Sequence, residues 1–101
     1  MNYLGNKLRE LRASKGLLLR QVAAYIEVDT ALVSKLERGE RKAKRGHVEA
    51  LAKIFKVNEK ELITLWLADQ VFDLVKDEEV ANDVLKVAES ELKYVKSSAK
   101  E

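Results

Sequence analysis

The chain has 101 residues, 47% hydrophobic and 36% charged, with four Gly and neither Pro nor Cys. That is enough apolar material for one small core with an appendage, and too little length for two full-sized domains. Zero Cys and a single His exclude disulfides, thiolate metal sites, Fe–S centres, a cysteine nucleophile and a multi-histidine metal centre. The net charge of +2 conceals a split: residues 1–58 carry 13 basic and 6 acidic side chains, residues 59–101 carry 6 basic and 11 acidic, and all six arginines lie in the first part. A basic module followed by an acidic one suggests that the first meets a polyanion and the second does something else. No apolar run approaches the roughly 18–20 residues needed to span a bilayer. The opening MNYLGNKLRELR has no uninterrupted hydrophobic segment, so no signal peptide is expected and the expected location is the cytoplasm.

The composition favours helix throughout. Leu4, Leu8 and Leu11 recur at helical spacing, and Gly16 is placed to stop that first helix. A short second helix fits Arg20 to Ile26, with Val22, Ala23 and Ile26 on one side. Asp29 is the expected cap of a third helix that turns Val33 and Leu36 inward and stops at Gly39. A charged connection, Glu40–Gly46, leads to a fourth helix marked by Val48, Leu51, Ala52 and Phe55. Asn58 and Glu61 form a capping-box pattern that opens a longer fifth helix, apolar on more than one stripe from Leu62 to Val75. Asp77 is the expected cap of a sixth, carrying Val80, Val84, Ala88, Leu92 and Val95, and 97–101 is expected to fray. The fold class is therefore all-α: a five-helix domain over 1–66 and a helical extension over 67–96.

Residues 19–39 meet the physical requirements of a helix-turn-helix. Ala23 is a small side chain where the third helix crosses the second, and Val22, Ile26, Val28, Val33 and Leu36 hold the pair at a fixed angle. The segments LGNKLRELRASKGL, VDTALVSKLERGER and LAKIFKVNEKEL stand in an order and spacing that resemble the Xre/Cro/CI family of phage-repressor-type DNA-binding domains. The resemblance runs from Leu4 to about Leu65. Three features depart from the family pattern: Leu18-Leu19 replaces a common Ser-Gln, Glu27 stands where Gly is common, and no Pro precedes the fourth helix.

The resemblance implies a repressor-like helix-turn-helix fold whose third helix reads the major groove. Thr30, Ala31, Leu32, Ser34 and Lys35 match the family's base-reading region, with Lys35 suited to guanine and Ala31 or the Thr30 methyl to thymine. The loop following that helix tracks the DNA backbone in the family. Arg38, Arg41, Lys42, Lys44 and Arg45 match it here, with Arg20 in the first turn of the second helix as a further phosphate contact. Glu37 is expected to pair with Arg12 as scaffold. His47 is expected to be solvated or locally bonded, and Trp66 to lie in the core or an interface. No catalytic residue, metal or cofactor is assigned, because no nucleophile or acid–base pair stands out.

The expected activity is that of a sequence-specific transcriptional regulator of double-stranded DNA, acting as a homodimer on an operator. By the same resemblance it is autoregulatory or a restriction–modification controller. The alternative is a protein-interaction module, such as the antitoxin of a toxin–antitoxin pair, with a partner the sequence does not name. Leu65, Leu67, Val71, Phe72, Leu74, Val75, Val84 and Leu92 are expected to form the dimer interface, since a small helix-turn-helix core needs only one stripe of the fifth helix.

Overall fold

The computed structural model describes residues 2–99 and contains six helices: α1 (Tyr3–Ser14), α2 (Leu19–Tyr25), α3 (Thr30–Arg38), α4 (Arg45–Phe55), α5 (Glu59–Val75) and α6 (Ala81–Ala99). Among the described residues there is no strand, so the fold is all-α, five helices plus a C-terminal one. No described helix is long and apolar enough to cross a membrane. The chain divides into two compact units, one up to Gln70 and the other from Val71 onward.

In the first unit α3 packs against both α1 and α2, and α2 also meets α4. The inward stripes of these helices meet in one core built on Leu4, Leu8, Val22, Val33, Leu36, Val48, Leu51, Phe55 and Leu62. Phe55, Leu51, Leu62, Val22 and Val48 are fully buried, and each contributes about 1.5–3 kcal/mol relative to an exposed position. Leu65 and Trp66 are partly buried and pack against the same core.

The helix ends explain why so short a chain holds four helices at defined angles. α1 to α4 all close with the same pair of backbone hydrogen bonds, in which the first or second residue past the helix is left-handed and the next N–H reaches back five residues. The left-handed residues are Gly16 (φ 65°), Glu27 (φ 59°), Gly39 (φ 72°) and Lys56 (φ 56°). Leu17, Val28 and Val57 follow three of them and tuck into the core. The fourth follower, after α3, is Glu40.

At the opposite ends, Asp29 Oδ1 accepts from the Leu32 N–H at 2.8 Å, as expected of the α3 cap. Asn58 Oδ1 accepts from the Lys60 N–H at 2.8 Å. The reciprocal half of that capping box is not made, because Glu61 pairs with Lys7 at 3.5 Å instead. α2 has no side-chain cap from Leu18; only the reciprocal contact is made, in which Gln21 Oε1 accepts the Leu18 N–H at 2.8 Å.

In the second unit, Asp77 does not cap α6. A turn over 76–80 intervenes, α6 starts at Ala81, and Val80 supplies the carbonyl that accepts from the Val84 N–H at 2.9 Å. Val80 therefore precedes the helix on which it was expected. α6 continues through Ser97 to Ala99, the first part of the segment expected to fray, while Lys100 and Glu101 lie outside the described residues.

Candidate nucleic-acid interface

The seat of α3 is fixed by polar groups. Glu37 is buried on its inner side, where Arg12 grips it with two hydrogen bonds, Nε to Oε2 at 2.7 Å and Nη2 to Oε1 at 3.1 Å. Arg9 adds an ion pair at 3.5 Å, and Arg12 also donates to the Leu17 carbonyl at 3.1 Å. The hydrogen bond to Glu37 raises the Arg12 pKa above its ordinary value, against the opposing effect of desolvation. The expected Glu37–Arg12 pair is present, and it locks α3 to α1.

Asn2 makes a second lock. Its Oδ1 accepts from the Gly5 N–H at 3.0 Å, capping α1, while its Nδ2 donates to the Glu37 carbonyl at 3.0 Å at the end of α3. Gly5 sits at this crossing, where a Cβ would overlap both the Asn2 amide and the Glu37 carbonyl. Asp69 of α5 completes the cap, accepting from the Tyr3 N–H at 3.1 Å and the Leu4 N–H at 2.9 Å. The first N–H groups of α1 are thereby all satisfied.

With Val33, Leu36 and Glu37 buried, the opposite side of α3 faces solvent. Ala31, Lys35 and Arg38 follow one another at helical spacing on that side, beside Thr30, and all four are exposed. Leu32 is half-buried and packs against the core, and Ser34 is half-buried. Arg38 is already engaged: its Nη1 donates to the Ser34 hydroxyl and its Nη2 to Glu40 Oε2 at 2.7 Å. That pairing raises the Arg38 pKa and lowers that of Glu40.

The basic loop after α3 is anchored rather than free. Ala43 is buried in its centre, and the Trp66 indole Nε1 donates to the Ala43 carbonyl at 2.8 Å. Arg45 lies over the Trp66 ring, 5.9 Å from its centroid, and 3.9 Å from Glu49. Arg41, Lys42 and Lys44 are exposed and have no ion pair among the described residues. Arg20 is exposed in the first turn of α2. Of the six expected phosphate contacts, Arg38 and Arg45 are thus partnered within the chain. His47, half-buried in the first turn of α4, has a buried Nδ1 without a hydrogen-bond partner, so it is not locally bonded through that atom.

Sequence reasoning missed Asn2, Gly5, Gln21 and Asp69 as the groups that orient this surface. Asn2 carried a signal, since Asn directly before an apolar-periodic helix is a common cap. Asp69 carried none, because its partners lie 65 and 66 residues away.

The helix-turn-helix domain family pattern matches residues 3–65. Over 58 residues, 56% of the chain, the sequence is 38% identical to RghRB, an uncharacterized HTH-type transcriptional regulator of Bacillus subtilis (strain 168). The chain spans 42% of that relative's length. The fold is similar to that of the clp gene regulator ClgR from Corynebacterium glutamicum, with a TM-score of 0.59 over 89% of this chain and 90% of the other, at 22% identity.

Proposed function

Because the chain belongs to the helix-turn-helix domain family, we propose that it is a transcriptional regulator that binds double-stranded operator DNA as a homodimer. The observation carrying this reading is the exposed row Thr30, Ala31 and Lys35 on α3, followed by a pinned loop with three cations, Arg41, Lys42 and Lys44, that no acid of the described chain neutralises. Lys35 donates to a guanine edge, and Ala31 or the Thr30 methyl meets a thymine methyl. The loop cations and Arg20 hold backbone phosphates. With one strong donor among the leading positions, part of the discrimination comes from the shape of the duplex. The small area of one such domain calls for a second copy to reach useful specificity, and the exposed apolar residues beyond Val71 supply a surface for it. Within the Xre/Cro/CI type, autoregulation or control of a restriction–modification operon follows the same reading.

Sites selected by the protein from a randomised duplex pool provide the test. Lys35→Ala is expected to erase the preference at one base pair, at a cost of about 1–3 kcal/mol there. Arg41→Ala and Lys44→Ala are expected to weaken selected and random duplexes alike, each lowering the log–log salt slope by about 0.9. Equal losses on selected and random DNA for Lys35→Ala would move that residue to the backbone, and salt-insensitive binding would favour an apolar protein-interaction module.

A further inference from the structure

We propose that Glu40 is an internal stand-in for a DNA phosphate, holding Arg38 in reserve and so setting how strongly the protein binds DNA of arbitrary sequence. The inference rests on the reading of α3 and its loop as the DNA-facing surface.

Glu40 is placed by the backbone. Gly39 is left-handed at φ 72°, and the Glu40 N–H reaches back to the Lys35 carbonyl at 2.9 Å. The equivalent positions after α1, α2 and α4 hold Leu17, Val28 and Val57, which pack against the core as that turn ordinarily requires. Only after α3 is the residue an exposed acid. An acid beside the negative end of a helix is electrostatically unfavourable for that helix, so the fold does not account for it.

What Glu40 does have is Arg38, with Oε2 accepting from Nη2 at 2.7 Å while the Ser34 hydroxyl accepts from Nη1. A carboxylate oxygen and a phosphate oxygen are both charged acceptors for a guanidinium N–H. Glu40 therefore occupies the position on Arg38 that a backbone phosphate would take. The Arg38 hydrogen bond first, and then the charges of Arg38 and Lys35, hold the Glu40 pKa below the ordinary carboxylate value.

Binding any duplex then requires an exchange in which Arg38 leaves Glu40 for a phosphate, while the freed carboxylate faces the polyanion. That exchange weakens binding to every sequence, leaving base contacts by Lys35 a larger share of the total affinity.

The experiment measures anisotropy of a fluorescein-labelled random-sequence duplex of about 24 base pairs, across a salt series, with the full chain and its Glu40→Gln, Arg38→Gln and doubly substituted forms. Glu40→Gln is expected to tighten binding about three- to tenfold at fixed salt and to steepen the log–log salt slope by about one, as one more phosphate is neutralised. In the Arg38→Gln background the same substitution is expected to gain less than about twofold and leave the slope unchanged. An unchanged affinity and slope for Glu40→Gln overturns the proposal. An equal gain with and without Arg38 also overturns it, because Glu40 would then act only as a diffuse repulsive charge. A parent chain that binds the duplex without salt dependence overturns the functional reading and this inference together, whereas the first two outcomes overturn this inference alone.

Discussion

Glu27 occupies the turn of the helix-turn-helix at φ 59°, a left-handed conformation that costs a residue with a Cβ about 1–2 kcal/mol. The backbone accepts the cost because the Glu27 and Val28 N–H groups close α2 on the Ala24 and Ala23 carbonyls at 3.3 and 3.0 Å, and Val28 packs against the core. The non-glycine residue thus leaves the turn intact and carries its strain. Glu27→Gly removes that strain and adds back about 0.5–1 kcal/mol of unfolded-chain freedom. The net expected gain is about 0.5–1 kcal/mol in urea unfolding. Gly39 has the same role after α3 at φ 72°, but a Cβ there would also stand 2.8 Å from the Asn2 amide. Gly39→Ala is therefore expected to lose about 1–3 kcal/mol. Opposite signs at the two turns are what a glycine-favouring left-handed backbone at both requires, and a destabilised Glu27→Gly would assign that side chain a contact of its own.

At the level of elements, the helices of the first unit were legible because their apolar residues recur at helical spacing, and α1, α3 and α5 also carry a recognisable cap or stop. Asp29 and Gly39 bracket α3 as expected, and Glu37 meets Arg12. Contacts between elements distant in sequence were not legible. The Leu-rich surroundings of Trp66 indicated a core or interface residue, but nothing local showed that its indole would hold the Ala43 carbonyl and pin the basic loop. Asp77 misled because an acid near a helix start is a local cue, whereas the turn over 76–80 sets the start of α6 through its own backbone hydrogen bonds. Asp69 is the sharpest case, an α5 carboxylate that accepts two N–H groups of α1. Asp69→Ala leaves those two donors without their acceptor and is expected to cost about 1–2 kcal/mol of unfolding free energy, as for loss of a strong cap. An unchanged urea midpoint would show that water replaces the carboxylate at no cost.

At the scale of the whole molecule, the second unit keeps little of its apolar surface to itself. Val75 is buried inside the chain at 7% exposure, so it is unavailable to a partner, and Leu65 is already packed on the first unit's core. Leu74 is 78% exposed and Leu92 60%, with Val71, Phe72, Val84 and Val95 also open. On α6, Leu85, Ala88, Leu92 and Val95 are spaced 3, 4 and 3 apart, the repeat that two helices bury against each other. Covering each large side chain is worth about 1.5–3 kcal/mol, so a seam of three or four in each copy is ample for association at micromolar concentration. The expected result is a full chain that sediments as a dimer at about ten micromolar and above. Leu92→Glu with Val95→Glu places two acids on each side of the seam and is expected to give a monomer of unchanged helix content. Operator affinity should then fall more than tenfold, because each half-site is bound alone. A monomeric full chain at that concentration would sink the dimer. A dimer that survives both substitutions would move its interface from α6 to Val71, Phe72 and Leu74 at the end of α5.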